Sequence, residues 1–169
     1  MAAIAGMIAA AAAFRGVTIW RDEMVGRRRA ELAEETLARL YQARDLVTWI
    51  RHPFAMVGEG QTREQFPEET TEQRRALDSY FAPIERFNKH KDFWASFDAS
   101  HYRFRAVFGI SAATPFVTVQ EKRNSVLVTA QSLIRHNYAN RHLSNRDVSE
   151  HTMELITKWE AVIWWGDPV

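Results

Sequence analysis

The sequence predicts an all-α protein, with an N-terminal membrane-anchor helix that continues into an antiparallel bundle of about four helices. Residues 1–14 form an alanine-rich apolar run. From residue 27 onward, apolar residues recur at the three- and four-residue spacing of helices that bury one face. With only 7 glycines and 5 prolines among many charged and aromatic residues, the composition argues against disorder and against an all-β fold.

Residues 1–20 are the predicted anchor. At about 1.5 Å per residue this stretch reaches roughly 30 Å, which is the thickness of a hydrocarbon core. Arg15 interrupts it, but the side chain can reach the headgroup region close to Trp20, a residue type favoured at membrane interfaces. Two alternatives remain open. One is a secretory signal peptide, although no basic residue precedes the apolar run, and the other is a buried alanine helix of a soluble protein.

Basic residues follow the apolar run directly, whereas the whole chain is almost neutral. The 22 lysines and arginines nearly balance the 21 acidic residues, so no overall field attracts nucleic acid and we expect no nucleic-acid partner. The positive cluster predicts a single-pass protein of the cell inner membrane, with its N-terminus outside and the bulk of the chain cytoplasmic. Anionic lipid headgroups are the expected partner. The predicted membrane-interface residues are Arg15, Trp20, Arg21, Arg27, Arg28 and Arg29.

Residues 21–169 are expected to form one helical bundle domain. The first helix should end at His52, because the residue before a proline is disfavoured in a helix. Residues 53–70 then form a long connection that we expect to be mobile. The next helical stretch, residues 71–108, carries an aromatic seam with a seven-residue repeat, and Pro83 is expected to kink or divide it. The repeating positions are Tyr80, Phe87, Trp94, His101 and Phe108.

Turn and capping signals divide the rest of the chain. Gly109 is expected to close the aromatic helix in a left-handed conformation, and Thr114 with Pro115 to start the next helix, at about 115–138. The short turn predicts an antiparallel hairpin. Ser144 and Asp147 resemble a capping box that opens the last helix.

Four stretches together resemble uncharacterised bacterial proteins that have a single N-terminal membrane helix and a helical cytoplasmic domain. The resemblance covers most of the chain and implies an anchored helical domain, but it carries over no catalytic residue. The stretches are Trp20-Arg21-Asp22-Glu23, Arg29-Ala30-Glu31-Leu32-Ala33-Glu34-Glu35, Tyr41-Gln42-Ala43-Arg44-Asp45 and His101-Tyr102-Arg103-Phe104-Arg105.

The sequence contains no motif that commits it to catalysis. It has no cysteine, no nucleophile elbow, no zinc-protease motif and no phosphate-binding loop. Two His/Asp pairs have helical spacing, at residues 98 and 101 and at residues 147 and 151, but the Glu-x-x-His motif of diiron bundles is absent. We therefore expect no metal and no cofactor, and more packing than chemistry from these histidines.

The expected function is binding or scaffolding of an unknown protein partner at the membrane. Self-association is a further candidate property, because small residues recur at four-residue spacing in residues 2–13 and would let two such helices approach closely. The alternative is a soluble or periplasmic helical enzyme or ligand-binding domain, with a pocket around His101, Asp98 and Trp94.

Overall fold

Helices are the only regular secondary structure in the residues that the computed structural model describes, which are 2–67, 69–140 and 150–164, with the backbone alone for 2–19. No strand occurs in these ranges, so the predicted all-α class is confirmed. The helices are α1 (Ala2–Ile50), α2 (Thr71–Lys89), α3 (Lys91–Phe108), a 3-10 turn (Ser111–Ala113), α4 (Thr114–Ala139) and α5 (Glu150–Ile163).

Helix α1 is far longer than the bundle that it joins. Its 49 residues extend about 73 Å. The described side chains begin at Trp20, and from there the first buried one is Leu32, followed by Thr36, Ala43 and Val47. Residues 20–31 are exposed except for a half-buried methionine, and we call this segment the arm. Among the described side chains of α1, only those from Leu32 onward therefore contribute to the core.

Helices α2 and α3 both run antiparallel to α4. Asp98 of α3 accepts hydrogen bonds from Gln120 and Arg123 of α4, and farther back along α3 the Arg123 guanidinium lies 5.2 Å from the Trp94 ring. Residues earlier in α3 thus contact residues later in α4, which confirms the antiparallel hairpin. Helix α2 is likewise antiparallel to α4 and packs along its later part.

The core is built from the rings of α3 and the small or aliphatic residues of its neighbours. Phe97 is fully buried and lies 4.9 Å from the ring of Phe116, which also contacts the rings of His101 and Phe104. The predicted aromatic seam is therefore an internal packing surface. Its buried partners on the other helices are Ala43, Val47, Ile50, Val126, Ala130, Leu133 and Ile163.

Two local expectations about the central helices need correction. Helix α2 continues through Pro83, and the division of the predicted stretch falls at His90, whose backbone (φ −118°, ψ 23°) leaves the helical region. The His90 ring packs edge-on against Trp49 of α1, a tertiary contact that spacing along the chain does not reveal. Gly109 has the expected positive φ of 88°, but its ψ of 175° is extended rather than left-handed helical.

The capping box that the structure shows opens α2. The Thr70 hydroxyl accepts a hydrogen bond from the Gln73 amide, and the Gln73 side chain accepts one from the Thr70 amide. The box predicted at Ser144 and Asp147 lies outside the described residues. The predicted membrane anchor, residues 1–20, cannot be compared with side-chain burial either, because the side chains of residues 1–19 are not described. Within the described residues, no helix combines the length and the apolarity needed to cross a bilayer.

We predict that a chain beginning at Arg27 keeps a cooperative thermal melt, with a midpoint within a few degrees of the full chain. The reason is that the described residues before this point contribute no buried side chain. Circular dichroism at 222 nm measures both helicity and the melt.

A chain beginning at Leu37 is the matched control, because it also loses Leu32 and Thr36 from the buried face. Its thermal midpoint should be markedly lower, since burying one leucine stabilises the fold by about 1.5–3 kcal/mol. An aggregated or non-cooperative product from the chain that begins at Arg27 would show that the alanine-rich segment belongs to the core.

Candidate functional site

The connection between α1 and α2, residues 51–70, is organised around a buried arginine of α2. Arg86 is only 1% exposed, and it forms a bidentate ion pair with Glu59, with a closest N–O distance of 2.6 Å. The same guanidinium donates to the carbonyls of Ile50, His52 and Phe54, at 3.3, 2.6 and 2.9 Å. The last carbonyls of a helix lack partners within the helix, so Arg86 caps α1 and also fixes the chain that leaves it.

A second buried arginine fixes the other half of the connection. Arg63 lies 2.6 Å from the Glu69 carboxylate and 2.7 Å from that of Asp78 in α2. Glu69 in turn accepts a hydrogen bond from the Phe66 amide at 2.9 Å. This network ties the connection, which we expected to be mobile, to α2 through specific contacts.

Two glycines allow the connection to follow this course. Gly58 and Gly60 have φ values of +89° and +82°, a region that other residues rarely adopt. Gly60 also approaches α2 closely, because a Cβ atom there would lie 1.9 Å from the Asp78 carbonyl oxygen. Its amide donates to Glu85 at 2.7 Å. The Gly-x-Gly pattern therefore serves a turn packed against a helix rather than a flexible hinge.

Arginine hydrogen bonds keep the two key carboxylates ionised. The Arg86 side chain holds the pKa of Glu59 below its usual range, against the opposing effect of burial, and the Met56 amide adds to the lowering. Arg63 does the same for Glu69. Both carboxylates thus remain ionised at neutral pH.

The connection between α1 and α2 exposes four consecutive apolar residues, 54–57, which we call the apolar loop. Phe54, Met56 and Val57 are 77%, 70% and 107% exposed, and Ala55 is exposed as well. The backbone of this loop is held from inside, because the Met56 amide donates to Glu59 at 2.9 Å. A run of exposed apolar residues is unfavourable in water, and such patches mark interaction sites in soluble proteins. The apolar loop is therefore the strongest candidate for an interaction site.

The predicted membrane-interface residues lie on the arm or before it. Arg15 is outside the described side chains, and Trp20 is 63% exposed. Arg21 and Arg27 form loose ion pairs with neighbouring acidic residues, each at 3.7 Å. Arg28 and Arg29 are exposed, and neither forms an ion pair with any described residue. The arm thus presents cations that remain available to an external anionic surface.

The residues of the alternative pocket serve packing instead. Asp98 is occupied by Gln120 and Arg123, and the Trp94 ring is buried beside that arginine. The His101 ring stacks on Phe116 at 5.2 Å, and it has no hydrogen-bond partner among the described residues. Ring stacking therefore holds this histidine in the core.

Within the described ranges, no group of three or more histidine and acidic side chains is arranged to hold a metal ion. Asp147, one of the two residues of the second His/Asp pair, lies outside these ranges. Comparison with known proteins finds no matching family model, no similar curated sequence and no similar solved structure.

Sequence reasoning missed the apolar loop because it treated residues 53–70 as unstructured. The available signal was the apolar run itself, which follows a proline and precedes Gly-x-Gly. Nothing along the chain indicates that Arg86 reaches back 27 residues to Glu59. The pairing that makes the loop rigid is visible only in three dimensions.

We predict that Gly60→Ala lowers the free energy of unfolding by about 3–5 kcal/mol, since the new methyl group would overlap the α2 backbone. Urea denaturation followed by circular dichroism measures the change.

Gly58→Ala is the matched control, because Gly58 shares the positive φ but has open space around it. It should cost only about 1–2 kcal/mol of conformational strain. Equal effects of the two substitutions would contradict the close packing of the connection on α2.

Proposed function

We propose that this protein is a membrane-anchored helical scaffold that holds a binding surface, the apolar loop, at a fixed distance from the bilayer. In this proposal residues 1–20 sit in the cell inner membrane with the N-terminus outside. The arm and the bundle lie on the cytoplasmic side. The observation that carries the proposal is the continuity of α1, one helix from Ala2 to Ile50 in which the first buried side chain, among those described from Trp20 onward, is Leu32.

The length of α1 separates the two ends by a defined distance. Trp20 and Ile50 are thirty residues apart on one helix, which corresponds to about 45 Å. The apolar loop follows directly after the distal end and is attached to it through Arg86. If Trp20 marks the membrane surface, the loop is too far away to insert into the same bilayer. The partner of the loop is then a protein.

The arm supports the membrane half of the proposal through its charge. Arginines near an anionic surface contribute about 1 kcal/mol each, and Arg28 and Arg29 have no competing ion pair among the described residues. Trp20 is exposed at the position where an interfacial ring would sit.

The apolar loop supports the binding half. Aromatic side chains and methionine are enriched in protein interfaces, and the loop offers one of each beside a valine. Because Arg86 and Glu59 already fix its backbone, binding would cost little additional ordering. Self-association through the small residues of the anchor is part of the same proposal and would present several loops together.

Cysteine labelling in intact cells tests the membrane arrangement, because the protein has no native cysteine. We predict that a cysteine at Ala2 reacts with an impermeant maleimide added outside. A cysteine at Val57, which is fully exposed on the loop, should react only after lysis. Labelling of Val57 in intact cells, or release of the protein by alkaline carbonate, would contradict the proposal.

Photo-crosslinking from the loop tests the binding half. We predict that a photoreactive residue at Val57 gives one discrete protein adduct, which Phe54→Ser and Met56→Ser together abolish. These side chains are exposed, so the double substitution should change the unfolding free energy by less than about 0.5 kcal/mol per site.

A photoreactive residue at Tyr102, 68% exposed on α3, is the matched control and should not give that adduct. The same adducts from both positions would mean that the loop is an ordinary surface.

A further inference from the structure

The turn between α3 and α4 presents a second exposed apolar surface, at residues 107–117, which we call the hairpin tip. Ile110 is 70% exposed, and Val107 and Val117 are 37% and 40% exposed. Phe116, by contrast, is fully buried in the core. The aliphatic side chains of the tip therefore face solvent, while this ring holds the start of α4 in the bundle.

Backbone hydrogen bonds fix the shape of the hairpin tip. The Gly109 amide donates to the Arg105 carbonyl at 2.9 Å, which closes α3, and the positive φ of Gly109 turns the chain toward the 3-10 turn. The Ala113 amide then donates to the Ile110 carbonyl at 3.1 Å, and Ala113 itself is only 1% exposed. Ile110 is thus presented from a held backbone, so binding at the tip needs little further ordering.

The sequence around the hairpin tip carries basic residues and no acidic one. Residues 99–120 contain no aspartate or glutamate, although 21 acidic residues in 169 would place two or three in a stretch of that length. The Arg103 side chain is 67% exposed and only loosely paired with Glu35, at 3.7 Å. Arg105 is exposed and forms no ion pair with any described residue. The charge of this stretch is therefore complementary to an anionic surface.

Contacts between α1 and α3 show how the two helices are aligned. Trp49 of α1 packs against the His90 ring, with the ring centroids 5.4 Å apart. Glu35, fourteen residues earlier in α1, pairs with Arg103, thirteen residues after His90. Equal lengths of the two segments thus run side by side in opposite directions, so the helices stay nearly in register.

This register gives the height of the hairpin tip along α1. Seven residues onward from Arg103 lead to Ile110, and seven residues back from Glu35 lead to Arg28, about 10 Å in each case. The tip therefore lies level with Arg28 of the arm. Ile50, which precedes the apolar loop, is 22 residues beyond Arg28, or about 33 Å. The hairpin tip and the apolar loop are thus at opposite ends of the bundle.

We propose that the hairpin tip is a second membrane contact, which docks on anionic lipid beside the point where α1 enters the bilayer. The inference rests on the proposed function, because it takes the anchor and the arginines of the arm as marking the membrane surface. Ile110 and the two valines enter the boundary between headgroups and acyl chains, and Arg105 meets the lipid phosphates.

The geometry of α1 allows this docking. Arg28 is eight residues from Trp20, or about 12 Å along the helix. A helix tilt of about 20°, which is usual in membranes, together with the depth of the headgroup layer brings Ile110 to the lipid. Two contacts on one body also fix the direction in which the bundle leans, and they keep the apolar loop on the side away from the bilayer.

Lipid quenching in the full chain tests the docking. Ile110→Cys provides a single site for a fluorophore, since the protein has no cysteine. The labelled chain is reconstituted into vesicles of phosphatidylcholine and phosphatidylglycerol that contain spin-labelled lipid. We predict strong quenching in these vesicles and severalfold weaker quenching in vesicles of phosphatidylcholine alone. A fluorophore on Val57→Cys, in the apolar loop, should not be quenched in either.

A charge variant and its control test the electrostatic part. Arg105→Gln should lower the ratio of docked to undocked tip about fivefold, the factor expected for one cation at an anionic surface. Arg75→Gln is the matched control, because Arg75 is also an exposed arginine of a helix. Its neighbours Gln73 and Leu77 line a small pocket with Asn137, near the end of α4 that is far from the tip. This control should leave the quenching unchanged.

The outcomes separate the docking from the anchor. A chain that resists alkaline carbonate but whose Ile110 label is not quenched would overturn the docking and leave the anchor intact. Release by carbonate would refute the proposed anchor, and the docking with it. A label that is shielded from water but not reached by spin-labelled lipid would indicate a protein contact at the tip. That result, or equal quenching at Val57, would also overturn the proposal.

Discussion

The buried ion pair between Arg86 and Glu59 is the interaction on which this end of the molecule depends. Removing a guanidinium from water is expensive, and the cost is recovered only if its donors and its charge are matched. In this protein the match comes from a carboxylate and from carbonyls of α1 and the residues that follow it. A helix end, a loop and a distant helix therefore share one cation. Disturbing any of the three disturbs the others.

This constraint connects local structure to the proposed function. A loop with exposed Phe54, Met56 and Val57 would collapse or aggregate if its backbone were free, but its carbonyls and amides are held from inside. The apolar side chains consequently face solvent in a fixed arrangement. Helix α1 carries that arrangement at its C-terminal end and the basic arm near its middle. The proposal of a scaffold rests on this separation of two different surfaces by a single rigid element.

The sequence predicts what depends on neighbours along the chain and fails where distant residues decide. Helical periodicity and ring spacing were sufficient for the all-α class, for the Phe97 and Trp94 core and for the antiparallel turn after Gly109. The helix break at His90 could not be predicted, because a contact with Trp49 accompanies it and Pro83, the local signal, lies inside α2. The contacts that hold the connection against α2 were also not predicted, because ion pairs such as Arg86 with Glu59 leave no periodic signal in the sequence.

Native-state hydrogen exchange of the Arg86→Met variant tests the central claim most directly. The amides of Met56 and Gly60 report on the connection, because the first donates to Glu59, which pairs with Arg86 of α2, and the second donates to Glu85 of α2. Breaking one side of a buried pair should destabilise the protein by about 3–5 kcal/mol. We predict that both amides lose protection well before the core amides of α4. Unchanged protection of Met56 and Gly60 in a folded variant would contradict the claim that Arg86 holds the loop.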